Sequence, residues 1–89
     1  MRAYVFRVVV PRRDWGRVEW LAEFLKKENV ELLYTRVDQL FSERADLDSI
    51  EVAFLLRGDA RARRELERRL AESLRGSIGF FVSYVKLED

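Results

Sequence analysis

Ile50-Glu51-Val52-Ala53-Phe54-Leu55-Leu56 is the stretch from which the fold can be read. Ile50, Val52, Phe54 and Leu56 recur at period two, and Glu51, Ala53 and Leu55 alternate with them. Successive side chains of an extended chain point to opposite faces, so the pattern predicts a strand with one wholly apolar face. Such a face needs a second layer packed on it. The strand ends at Arg57-Gly58, and Asp59 reads as the N-cap of a helix running roughly from Ala60 to Leu74. Ala62, Leu66, Leu70 and Leu74 make a narrow apolar stripe on that helix. Opposite charges four apart lace the rest: Arg61 with Glu65, Arg63 with Glu67, Arg68 with Glu72. Gly76 closes the helix, and Ser77 to Leu87 reads as a final strand.

The residues upstream repeat the plan. Ala3 to Val10 is rich in Val and aromatics and stops at Pro11, as a strand does. Asp14 is the expected N-cap of a helix over 15–28, in which Trp15, Val18, Leu21, Ala22 and Leu25 form the buried stripe. Asn29 turns the chain into a second strand, from Val30 to about Phe41, where Leu33, Thr35 and Val37 alternate with Tyr34, Arg36 and Asp38. The charged segment from Ser42 to Ser49 reads as a hairpin loop or a fraying extension of the strand. The order is βαββαβ. Right-handed crossovers then give a four-stranded antiparallel sheet in the order 4-1-3-2, with both helices on one face. This is the ferredoxin-like α+β sandwich, and it places the apolar third strand at the centre.

Bulk composition narrows the function. Eighty-nine residues make one domain, 1–89, with a thin core that oligomerisation would support. Seventeen basic and sixteen acidic residues leave a net charge of +1, which gives no general attraction to nucleic acid or acidic membranes. No apolar run approaches the roughly 20 residues of a membrane span. The N-terminus begins in a strand pattern without the shape of a signal peptide, so a cytoplasmic location is expected. With no cysteine, disulfide and thiol chemistry are excluded. With no histidine, the commonest general base and transition-metal ligand are missing. The expectation is a protein that is not an enzyme and needs no cofactor. Glu43, Asp46, Asp48 and Glu51 gather near the hairpin, but without the spacing of a calcium loop they read as a solvated cluster, so no metal is expected. Abundant Arg and Glu, one Pro and one Met suggest a thermophilic source.

Two helices cover one face of the sheet. Sending Tyr4, Phe6, Val8 and Val10 to the core with the even residues of strand three leaves Val5, Arg7 and Val9 on the other face. Ala53, Leu55 and Arg57, Tyr34 and Arg36, and Phe81, Val85 and Leu87 join them. A large apolar patch set with arginines marks an interface or a binding site. Arg7, Tyr34, Arg36, Leu55, Arg57 and Phe81 are therefore candidate interface residues. Trp20 and Phe24, four apart on the first helix, either widen the core or anchor a second subunit at the helix edge. A third use of the open face is stacking single-stranded bases on Tyr34 and Phe81, with Arg7, Arg36 and Arg57 attending phosphates. IEVAFLLRG lacks the Lys/Arg-Gly-aromatic run of the RNA-recognition motif, and the near-neutral charge disfavours that use.

The loop Arg13-Asp14-Trp15-Gly16-Arg17-Val18 joins a strand end to a helix start, where free N–H groups and the helix dipole favour an anion. This loop, the entry Glu28-Asn29-Val30-Glu31-Leu32 into strand two, and the run from Val52 through RGDARARRELERRLAESL together resemble the ACT domain over nearly the whole chain. The resemblance implies a non-catalytic regulatory module that forms homo-oligomers. It also implies an amino acid or other small carboxylate bound at a subunit interface around Gly16. Gly16 and Val18 match the family's Asp-x-x-Gly-x-hydrophobic loop, whereas Arg13 stands at its acidic position and Trp15 at its proline position. Those departures favour a rival reading, a structural assembly module.

Overall fold

A computed structural model describes residues 2–39 and 48–87 of the chain. Its strands are β1 (Ala3–Pro11), β2 (Val30–Asp38), β3 (Ser49–Arg57) and β4 (Phe81–Leu87). A 3-10 helix (Arg12–Val18) and a single α-helical turn, α1 (Leu21–Phe24), connect β1 to β2, and α2 (Ala60–Ser73) connects β3 to β4. The sheet is antiparallel throughout, in the order β2-β3-β1-β4. That is the expected order 4-1-3-2 read from the other edge. Among the described residues no helix is long and apolar enough to cross a membrane.

The period-two phases of the two central strands decide the packing. Tyr4, Phe6, Val8 and Val10 of β1 lie opposite Leu56, Phe54, Val52 and Ile50 of β3. These residues, with Val18, Leu21, Leu66, Leu70 and Leu74, form one hydrophobic cluster. Phe6 and Phe54 are wholly buried, their rings nearly parallel at 4° with centroids 5.5 Å apart. The stripe of α2 is as expected, with Ala62 partly buried at its end. Asp59 caps α2 by accepting from the Ala62 N–H at 3.0 Å. Gly76 closes the helix with φ of 88°, in the left-handed region that glycine occupies without strain. Of the expected ion pairs, Arg63–Glu67 and Arg68–Glu72 form, and Arg68 also takes Glu65, replacing the Arg61–Glu65 pair.

The first helix differs from expectation. No continuous helix runs over 15–28, and Asp14 caps nothing. Trp15, Val18, Leu21 and Phe24 are spaced by three, and the 3-10 helix has three residues per turn. Val18 and Leu21 are wholly buried and Trp15 and Phe24 partly so, while Ala22 is exposed. Contacts distant in sequence hold the segment. Trp20 Nε1 donates to Ser73 Oγ at 2.8 Å, and Arg17 Nη1 donates to the Arg75 carbonyl at 2.9 Å. These bonds win over local helical propensity. β4 also begins later than expected, at Phe81, because 77–80 are irregular, bending at 78–79 with Gly79 at φ of 100°. The expected strand residues after Gln39, like Glu43 and Asp46, lie outside the described residues.

Two features reach the surface. The helix-side residues Leu32 and Val37 of the edge strand β2 stay 47% and 53% exposed. A bulge at Leu33 sits between the Leu32–Phe54 and Tyr34–Ala53 pairs and sends Tyr34 and Arg36 to the face away from the helices. Replacing Phe54 by Ala deletes one ring of the central stack and leaves a cavity. We expect Phe54→Ala to cost about 3–5 kcal/mol of unfolding free energy, measured by urea denaturation at neutral pH.

Candidate functional site

The register assembles the open face row by row. Arg36, Glu51, Val9 and Phe81 form one row across the four strands. Tyr34, Ala53, Arg7 and Ser83 form the next, followed by Glu31, Leu55, Val5 and Val85. Arg57, Ala3 and Leu87 close the face. The expected phases of all four strands on this face are therefore observed.

Glu51 is the centre of this face, although it is 6% exposed. The Tyr34 hydroxyl donates to its Oε2. Arg36 Nη2 approaches its Oε1 at 3.5 Å and Asp38 Oδ2 at 3.1 Å. Arg7 Nε lies 3.9 Å from the same Oε1, and the Arg7 guanidinium covers the Phe81 ring at 5.4 Å. A carboxylate removed from water on an apolar sheet is costly unless donors surround it. Here three side chains from two strands do so. The bond to Glu51 holds the Tyr34 phenol above its ordinary range. Arg57 pairs with Glu31 at 3.3 Å at the far end. The interface candidates Arg7, Tyr34 and Arg36 thus converge on one residue, Glu51, which the sequence did not mark as central, and Phe81 joins them only through Arg7. The phase of Glu51 beside Arg36 and Val9 was the available signal.

Apolar groups flank the polar cluster. Val5, Val9 and Leu55 are half-buried, while Phe81, Val85 and Leu87 are 51%, 63% and 45% exposed. The other candidate sites are engaged within the chain. Trp20 and Phe24 meet edge to face at 6.0 Å, and Phe24 meets Phe54 in the same manner. Arg69 lies 3.9 Å over the Trp20 ring. In the 13–18 loop, Asp14 Oδ2 accepts from Ser77 Oγ at 2.7 Å and Oδ1 from Arg17 Nε at 3.3 Å. The Ser77 bond holds the Asp14 carboxyl below its usual range. Arg13 reaches both Asp14 and the Ile78 carbonyl. Trp15 packs against the core, and a side chain at Gly16 would meet nothing within 4 Å. Of the loop acids, Asp48 is buried beside Arg12, whose Nη1 lies 3.7 Å from its Oδ2. Among the described residues no three potential metal ligands gather.

These features define a small α+β domain with an open antiparallel sheet, whose bare face carries a charge-balanced polar cluster between apolar rows. No protein-family model matches the chain, and no curated protein matches it. Solved structures do. The C-terminal domain of the MgtC protein from Mycobacterium tuberculosis aligns over 99% of this chain and 89% of its own, with 19% identity and a TM-score of 0.57. The de novo designed protein Foldit4 aligns over 99% and 97%, with 17% identity and a TM-score of 0.56. CutA1 from Pyrococcus horikoshii aligns over 97% and 84%, with 18% identity and a TM-score of 0.48. At these identities the likeness is one of fold.

The Tyr34–Glu51 bond predicts an alkaline titration. The folded chain keeps Tyr34 protonated, so the bond's contribution to stability is complete below the ordinary phenol value of about 10 and is lost as pH rises through the raised value. Absorbance at 295 nm should show a late-ionising component from Tyr34. In Glu51→Gln that late component should move toward the ordinary value.

Proposed function

We propose that this chain is a non-catalytic assembly domain of ferredoxin-like type that stacks on a second copy of itself through the open sheet face. The observation that carries the reading is the charge balance of that face. Each of its arginines has a carboxylate on the same face within 4 Å: Arg7 with Glu51, Arg36 with Asp38 and Glu51, Arg57 with Glu31. A face of one sign would repel its own copy, whereas a balanced one meets no such penalty. An isologous dimer requires a self-complementary patch. A two-fold axis crossing the strands at Arg7 would lay Val9 and Phe81 of one copy on Val5 and Val85 of the other. That contact would cover the apolar groups now in water.

The same pairing counts against the nucleic-acid reading, because phosphates must compete with carboxylates already in place. The amino-acid sensor reading places its ligand in the 13–18 loop. There Asp14, Arg13 and Arg17 bond to the turn after α2, and the space around Gly16 is open. The loop works better as a strap between the two halves of the helical layer.

Sedimentation velocity and light scattering test the proposal. The full chain should sediment at twice its 10.6 kDa mass. Leu55→Asp and Val85→Asp should each give a folded monomer, with the circular dichroism of the parent. A parent that is monomeric at every concentration, or a dimer untouched by both variants, would overturn the assembly reading.

A further inference from the structure

On the helix side of the sheet, at the end away from the 13–18 loop, the short first helix leaves a gap. The gap is a cleft of about 270 Å³ between the end of α1 and the first turns of α2. Phe24, Leu56 and Leu66 give it an apolar floor, and Lys27 and Arg69 stand at its rim. Leu56 and Leu66 are almost fully buried, so the floor belongs to the core and is fixed in place.

The rim charges are unevenly satisfied. Glu65, which also lines the cleft, pairs with Arg68 at 3.1 Å. Lys27 and Arg69 have no carboxylate within 4 Å among the described residues. They lie instead over aromatic rings, Lys27 Nζ 5.3 Å from the Phe24 centroid and Arg69 3.9 Å from that of Trp20. A cation–π contact leaves the cation's outer hydrogens available to an anion. Two cations without a counter-ion among the described residues, above an apolar floor, fit a ligand with an apolar body and one acidic group. The volume lies just under the roughly 300–1,000 Å³ of drug-sized pockets, enough for one ring or a short chain and too little for a nucleotide.

We propose that this cleft binds a small monocyclic or short-chain carboxylate, its body on Phe24 and Leu66 and its carboxylate between Lys27 and Arg69. The site lies on the opposite side of the sheet from the dimer face and does not depend on it.

The test is a titration of the full-length, nitrogen-15-labelled chain with phenylacetate, followed by amide chemical shifts. Saturable shifts at Phe24, Lys27, Ala62 and Leu66 are expected, in the parent and equally in the monomeric Leu55→Asp variant. Lys27→Glu and Arg69→Glu should each weaken binding by about tenfold or more, and neutral phenylacetamide should lose as much. Lys27 packs on an exposed flank, so its variant keeps the proposal testable if Arg69→Glu melts early. Shifts centred on 13–18 would move the anion to the first loop and overturn the cleft. Shifts centred on the open face, no saturable shift, or charge reversal without effect at Lys27 would overturn it too.

Discussion

The stack of Phe6 on Phe54 is the constraint from which the other placements follow. It joins the two central strands at their midpoint and is wholly buried. Phe24 and Tyr84 then pack around it, Phe24 on Phe54 and Tyr84 tilted on Phe6 at 5.5 Å. Once both rings face the helices, strand geometry leaves no choice for their neighbours. Arg7, Ala53 and Glu51 must emerge on the opposite side. The polar cluster of the open face is thus set by an aromatic pair that never touches it.

That cluster explains how the sheet can leave one side bare. Glu51 is held by Tyr34, Arg36 and Arg7, and Arg7 in turn shields Phe81. The charged heads satisfy one another. Such a surface keeps its charged groups paired while the domain is alone. It has few unmet charges to desolvate when covered, which is the usual obstacle to burying ionic groups.

Legibility in the sequence followed the strength of local periodicity. The third strand, α2 and the open-face phases could be read because each carries an uninterrupted repeat of two or of three to four residues. The first helix could not. Its anchors, Asp14 to Ser77, Arg17 to the Arg75 carbonyl and Trp20 to Ser73, reach across more than fifty residues and leave no local trace. The spacing of Trp15, Val18, Leu21 and Phe24 by three was visible but fits an α-helical stripe almost as well. At the site, Arg7, Tyr34, Arg36 and Phe81 could be assigned to one face. The convergence of Tyr34 and Arg36 on Glu51 depends on how β2 is registered against β3, which no single strand records. The cleft between the helices was likewise hidden, because it exists where an expected helix stops short.

The bulge at Leu33 has a bearing on how this domain tolerates change. It separates β2 into two independently registered pieces, Val30 to Leu32 against Leu56 to Phe54, and Tyr34 to Asp38 against Ala53 to Ser49. Slack is therefore stored inside the strand. A residue gained or lost in the turn over 25–29 can be taken up by reshaping or erasing the bulge, while Tyr34 stays opposite Ala53 and within reach of Glu51. The polar cluster is thereby insulated from small changes of length in the connection ahead of β2.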